Sequence, residues 1–160
     1  MDQPVTDLSN TLVGWREWVR LPTIGVPWIK AKIDTGARTS TLHAFDLEEL
    51  ERDGQPWVRY AVHPWQRSDD DVVAVESPVV DKRLVRSSNG QEEERLVVTH
   101  DITLAGRLVT AEVTLSNRDE MGFRMLIGRQ ALAQGFLVDS STSYAGRRPS
   151  RRVRRHNWGR

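Results

Sequence analysis

At 160 residues the chain can bury one sizeable core and is short for two, so a single domain is expected. Cysteine is absent, which excludes a disulfide framework, a thiol nucleophile and thiolate-ligated zinc, and fits a reducing, cytoplasmic setting. The formal net charge of +1 conceals an asymmetry: Arg147, Arg148, Arg151, Arg152, Arg154, Arg155 and Arg160 crowd the last fourteen residues and leave the rest at about −6.

Met1 to Asn10 has acids and a proline where a leader would have a basic head and an apolar run. No apolar stretch approaches the roughly 20 residues that span a bilayer, so neither secretion nor membrane contact is expected. Residues 1–11 are read as a flexible N-terminus. From Thr11 to Leu21, Val13, Trp15, Trp18 and Leu21 punctuate a stretch poor in helix formers, which favours strand. Pro22 and Gly25 break it. A second extended run, Val26 to Ile33, places Ile29, Ala31 and Ile33 on one face and Lys30, Lys32 and Asp34 on the other, so Asp34 ends a strand.

Phe45 to Arg52 is open to helix or strand, and the Asp53-Gly54 pair ahead of Trp57, Val58 and Tyr60 favours a hairpin. Arg67 to Asp71 is polar enough for an exposed loop, after which Val72 to Val75 and Val79 to Val85 return to β-branched patterning. Ser87-Ser88-Asn89-Gly90 is the strongest short hairpin signal, with Arg95 to Thr99 as its far arm. Ile102 to Leu104 and Leu108 to Leu115 make a further hairpin about Ala105-Gly106. Met125-Leu126-Ile127-Gly128 is a short apolar run ended by glycine, Arg129 to Gln134 is helical with Gly135 at its end, and Phe136 to Val138 is a last strand. The domain is thus expected over 12–146. Residues 147–160, with seven arginines and almost no apolar side chains, are expected as an unordered arm. That arm reads either as a contact for RNA, a ribosome surface or an acidic peptide, or as a solubilising terminus.

The chemistry centres on Asp34-Thr35-Gly36-Ala37. A carboxylate at a strand end, followed by a hydroxyl and a glycine, makes a tight turn that a neighbouring backbone can approach closely. By itself such a tripeptide is also an ordinary turn. What lifts it is order along the chain. The turn is followed by the Asn89-Gly90 hairpin, the strands about Gly106, and Leu126-Ile127-Gly128 leading into Arg129-Gln130-Ala131-Leu132. In that order the chain resembles the retropepsin-like aspartic peptidases. The strings Val13-Gly14-Trp15-Arg16-Glu17, Lys30 to Ser40, Ser88-Asn89-Gly90, Asn117-Arg118 and Met125 to Arg129 are similar to a bacterial family formerly labelled ATP-dependent zinc proteases and associated with a ribosomal-protein glutamate ligase.

The resemblance implies an all-β fold, a closed β-barrel with one short C-terminal helix, assembled as a homodimer without cofactor. It implies Asp34, Thr35 and Gly36 as the catalytic turn, with Thr35 bracing it across the two-fold axis. Ala37, Arg38, Thr39 and Lys32 would lie along substrate, Asn89 and Gly90 would tip a flap, and Leu126, Ile127, Gly128 and Arg129 would support the site. The substrate would be a peptide or protein, with the glutamate-rich tail of a ribosomal protein in view. Aspartic-peptidase chemistry needs two carboxylates about one water apart. Asp139-Ser140-Ser141 lacks the glycine, so the second carboxylate is expected from Asp34 of another subunit.

Two features depart from the viral enzymes. An acidic partner for the arginine of the apolar-glycine motif is missing, since Arg38 stands near that position and the arginine is Arg129. Lys30, Lys32 and Arg38 would then either favour an acidic substrate or be solvated charges on an outer face. The segment between Ser40 and the flap is also long. The zinc and ATP of the old label find no support in the residues: His43, His63, His100 and His156 lack ligand spacing, and there is no phosphate-cradling glycine loop, so no metal site is expected. The rival class is a non-catalytic dimeric β-barrel that binds acidic or ribosomal partners.

Overall fold

The computed structural model describes residues 10–86, 89–117 and 122–157, and the chain is mostly β. The strands are β1 (Thr11–Val13), β2 (Arg16–Leu21), β3 (Val26–Ile33), β4 (Ser40–His43), β5 (Phe45–Arg52), β6 (Gln55–Val62), β7 (Val73–Pro78), β8 (Asp81–Arg86), β9 (Glu92–Leu104), β10 (Arg107–Ser116), β11 (Met125–Ile127) and β12 (Phe136–Val138). Among the described residues there are also two short α-helices, α1 (Arg129–Leu132) and α2 (Arg151–Arg154). Among the described residues no helix is long and apolar enough to cross a membrane.

The main sheet runs β10-β4-β11-β3-β2-β9-β8, and a further β9–β10 pairing closes six of these strands on themselves with β8 left outside. Closure lets Ile29, Ala31, Ile33, Leu42, Val98, Ile102, Val113 and Ile127 bury against one another, each 6% exposed or less. Removing that apolar surface from water is the main stabilising term. Two connections are two-residue turns in the left-handed region: Asp53 (φ 52) with Gly54 (φ 78), between paired Arg52 and Gln55, and Ala105 (φ 50) with Gly106 (φ 82), between paired Leu104 and Arg107. Both match the right-handed strand twist. β5 is therefore a strand.

The long segment after Ser40 forms a separate antiparallel sheet, β5-β6-β7. Val58, Tyr60, Val62 and Val75 join the common core. Tyr60 also ties this sheet to β9, its hydroxyl lying 2.7 Å from His100 Nε2 and 2.9 Å from Ser77 Oγ. Burial pushes the Tyr60 hydroxyl up to about 12 and the His100 imidazole down to about 4, so both are neutral over a wide pH range.

Three sequence expectations need correction. β9 is one strand of 13 residues, with no break between Thr99 and Ile102, because it pairs successively with β8, β10 and β2. The β8–β9 hairpin turns over five residues between paired Arg86 and Glu92, and not over Asn89-Gly90 alone; Ser87 and Ser88 lie outside the described residues. The arginine-rich end is docked over its described residues, 147–157, and residues 158–160 lie outside them. Ser150 caps α2 by accepting the Val153 N–H, His156 stacks on Trp65 with ring centroids 5.1 Å apart, and fully buried Asn157 accepts the Arg67 N–H at 2.6 Å. Of the expected N-terminal arm, Met1 to Ser9 lie outside the described residues, and Thr11 already belongs to β1, paired with Phe136.

Candidate active site

β3 ends at Ile33, and the chain turns through Asp34 to Thr39 before entering β4. Between those two strands lies β11, parallel to β3 (Met125↔Ala31, Ile127↔Ile33) and antiparallel to β4 (Met125↔Leu42, Leu126↔Thr41). The strand that separates them also fixes the turn joining them. Asp34 N–H donates to the Ile127 carbonyl at 2.9 Å, continuing the β3–β11 ladder by one residue. Gly128 N–H donates to buried Ser40 Oγ at 3.1 Å, Arg129 N–H to the Ala37 carbonyl at 2.7 Å, and Gln130 N–H to the Arg38 carbonyl at 3.0 Å. Four consecutive residues, Ile127 to Gln130, thus hold the turn at Asp34, Ala37, Arg38 and Ser40.

Within the turn, Asp34 Oδ1 accepts the Gly36 N–H at 2.8 Å and the Asp34 carbonyl accepts the Ala37 N–H at 3.3 Å. The carboxylate is half-buried, while Thr35 and Gly36 are exposed. Among the described residues Arg129 meets no carboxylate. Its Nη1 donates to the main-chain carbonyls of Thr35 and Gly36, both at 3.0 Å, so the missing acidic partner is replaced by peptide oxygens of the turn itself. Gly128 is required by close approach: a Cβ there would meet the Ala37 oxygen and the Thr39 carbon and oxygen at 2.8 Å each.

The structure therefore brings together Asp34, Thr35, Gly36, Ala37, Arg38 and Thr39 with Leu126, Ile127, Gly128 and Arg129. Lys32 stands one β-strand repeat from Asp34, paired with Leu126 and beside Thr41, His43, Phe123 and Arg124. Asn89 and Gly90 are exposed at the hairpin tip, where Asn89 Oδ1 accepts the Gln91 N–H at 3.1 Å. Asp139 is engaged locally. Its oxygens accept the Ser141 hydroxyl (2.6 Å), the Ser141 N–H (2.9 Å) and the Thr142 hydroxyl (2.8 Å), and these bonds hold its carboxyl below the usual range. That is a turn-capping role. Ser40 is a supporting residue that sequence reasoning missed, since a serine opening a strand carries no signal of its carbonyl or amide partners.

The family model described as RimB-like, retropepsin-like aspartic endopeptidase RimB, matches residues 12–149. A Shewanella pealeana protein named "Probable alpha-L-glutamate ligase" is 47% identical over 85% of this chain and 30% of its own length. A Desulfotalea psychrophila protein of the same name is 40% identical over 87% of this chain and 30% of its own length. The chain thus spans under a third of these curated relatives. A solved structure of a Legionella pneumophila protein of unknown function is similar with a TM-score of 0.72 and 28% identity, covering 86% of this chain and 98% of that one. With the Asp34 turn and the β11–α1 segment that braces it both inside the matched span, the chain belongs to the RimB-like family of retropepsin-like aspartic endopeptidases.

Proposed function

We propose that the protein is an aspartic peptidase in which Asp34 from each of two identical subunits activates one water. The observation that carries this reading is the bracing of an outward-facing turn by Ile127, Gly128 and Arg129, which holds a carboxylate rigidly where a second copy can meet it. Two such carboxylates close together share one proton, because both cannot ionise. The ionised one takes a proton from water as its oxygen attacks the scissile carbonyl carbon, and the protonated one gives its proton to the carbonyl oxygen. Collapse of the tetrahedral species breaks the C–N bond, with a proton passing to the amine nitrogen. Thr35 braces the turns across the axis, Ala37, Arg38 and Thr39 line the substrate, and the Asn89-Gly90 hairpin closes over it as a flap. The ring of paired strands acts as a barrel whose dimer completes the site.

An acidic, glutamate-rich chain end is the substrate class best supported. The segment recurs in proteins named for glutamate ligation, and a hydrolase beside such a ligase would act on its product. A cytoplasmic, homodimeric enzyme without cofactor follows from this reading. Mixing tests it directly. Asp34→Asn protein should be folded and inactive, and equal amounts with wild type under subunit exchange should leave about a quarter of the dimers with two aspartates. Activity that tracks the wild-type fraction linearly, or that persists in pure Asp34→Asn protein, would overturn the shared-carboxylate mechanism.

A further inference from the structure

Beside β2 and β3 lies a cavity of about 370 Å³ faced by five cations: Arg16, Lys30, Arg67, Arg148 and Arg154. Trp18 and Tyr144 complete its wall, and among its described lining residues none is acidic. The cations come from four separate parts of the chain and are fixed by interactions of different kinds. Glu17, fully buried, accepts the Gly14 N–H at 2.6 Å, Ala145 N–H at 2.8 Å and Gly146 N–H at 3.0 Å, which pins the segment preceding Arg148 to β2. Arg16 Nε donates to Ser143 Oγ at 3.2 Å, and its guanidinium lies 4.9 Å from the Tyr144 ring centroid. Lys30, 6% exposed, places its ammonium 5.7 Å from the Trp18 ring and 5.6 Å from Tyr144. Arg154 Nη1 donates to the Pro149 carbonyl at 2.7 Å, and the Arg67 backbone is held by Asn157.

Like charges gathered round one space repel, and an anion entering it is attracted by all of them at once. Burial raises the Tyr144 hydroxyl and Glu17 adds to the rise, while Arg16, Arg148 and Arg67 pull it the other way. The faces of Trp18 and Tyr144 are already covered by Lys30 and Arg16, which disfavours stacking of a nucleic-acid base. Carboxylates need only the guanidinium and ammonium donors. Lys30 also lies in β3 four residues before Asp34, which directly follows the strand, so the two are about 13 Å apart at strand rise. An extended peptide of about four residues covers that distance.

We propose that this cavity is an acidic-peptide subsite, which takes side-chain carboxylates of the substrate about four residues from the bond held at Asp34 and sets a preference for acidic chains. The assignment rests on the reading of Asp34 as the hydrolytic carboxylate, and it makes the docked arginine segment a wall of the substrate site.

The test uses full-length Asp34→Asn protein and a fluorescein-labelled hexaglutamate peptide, read by anisotropy across a salt series. R148A/R154A should weaken binding at least tenfold and flatten its salt dependence, whereas R151A/R152A, which removes equal charge outside the cavity, should leave both unchanged. In the Asp34-containing protein R148A/R154A should raise KM for a glutamate peptide without changing kcat, and leave a glutamine peptide unaffected. Equal losses in the two double variants, unchanged binding in R148A/R154A, or tighter binding of an oligouridylate than of hexaglutamate would overturn the subsite. Peptide binding lost in R148A/R154A, without hydrolysis by wild type, would keep the subsite and remove the peptidase reading. Hydrolysis indifferent to peptide charge would do the reverse.

Discussion

Gly128→Ala separates a braced turn from an ordinary one. Gly128 sits at φ −98, ψ −178, extended backbone that any residue adopts, so the substitution carries no dihedral cost. The whole effect is steric. The added methyl would lie 2.8 Å from the Ala37 oxygen and from the carbon and oxygen of Thr39, against about 3.4 Å for ordinary contact, so backbone must move by about 0.6 Å. These atoms cannot swing aside as a side-chain tip would. The Ala37 carbonyl is bonded to Arg129 N–H, and Gly128 N–H to Ser40 Oγ, so relief on one side lengthens a bond on the other. Overpacking of this kind costs about 1–3 kcal/mol. With a urea m-value of about 2 kcal/mol/M, the unfolding midpoint should fall by about 1 M. Because the displaced residues, Ala37 and Thr39, belong to the turn that carries Asp34, peptide hydrolysis measured well below that midpoint should fall about ten- to hundredfold. An unchanged midpoint with wild-type turnover would show that the turn does not depend on close approach of β11 and α1.

Arg129→Ala removes two bonds from Nη1 to the Thr35 and Gly36 carbonyls at an exposed site; stability should change by about 1 kcal/mol or less while kcat drops at least tenfold, and Arg129→Lys, whose ammonium sits on a shorter, more flexible stem, should recover only part of it in the same peptide assay. Glu17→Ala takes one carboxylate from three backbone N–H groups and should lower stability by about 3 kcal/mol in urea titration, with loss of preference for acidic over neutral peptides because residues 144–148 are released. His100 is neutral when folded, its imidazole pushed by burial to about 4 against 6.5, so the unfolded chain binds the extra proton first. Stability should therefore begin to fall as pH drops below 6.5 and lose about 3 kcal/mol from this group by pH 4; His100→Gln should be less stable at pH 7 and show a smaller fall, and parallel pH profiles of the two proteins would refute the assignment.

Local chemistry was legible in the sequence where one residue type decides the backbone. Alternation in Val26 to Ile33 placed Asp34 at a strand end, and Asp53-Gly54 and Ala105-Gly106 marked the two tight turns. Asn89-Gly90 misled on the turn length because a favoured dipeptide does not fix how many residues separate paired strands. The break expected near His100 failed for another reason: a polar residue inside a strand reads as an interruption, yet His100 is buried and bonded to Tyr60 from a different sheet. Long-range partners were not legible. Nothing in Ser40, Gln130 or Glu17 announces the amides and carbonyls they meet, since each contact depends on the order of strands and not on local pattern.

The arginine-rich end shows most sharply why composition alone misjudged the site. Low apolar content argues against order when a segment must bury its own surface, but this one is ordered by what it is laid against. Trp65 offers a face to His156, the Arg67 N–H meets a buried Asn157 oxygen, and Glu17 fastens the approach at Ala145 and Gly146. Those three contacts use one imidazole, one amide and one carboxylate, and leave Arg148 and Arg154 to face the cavity beside Lys30. The sequence groups Lys30 with Lys32 and Arg38 around the turn, whereas the fold sends the three to different surroundings: Lys30 to that cavity, Lys32 beside His43 and Phe123, and Arg38 to the exposed turn. The proposed preference for acidic chains therefore depends on the packing of the C-terminal segment against β2 and the β6–β7 loop. It follows that changes at Trp65 or Asn157, remote from Asp34 in sequence, should alter selectivity for acidic peptides before they alter the hydrolytic step.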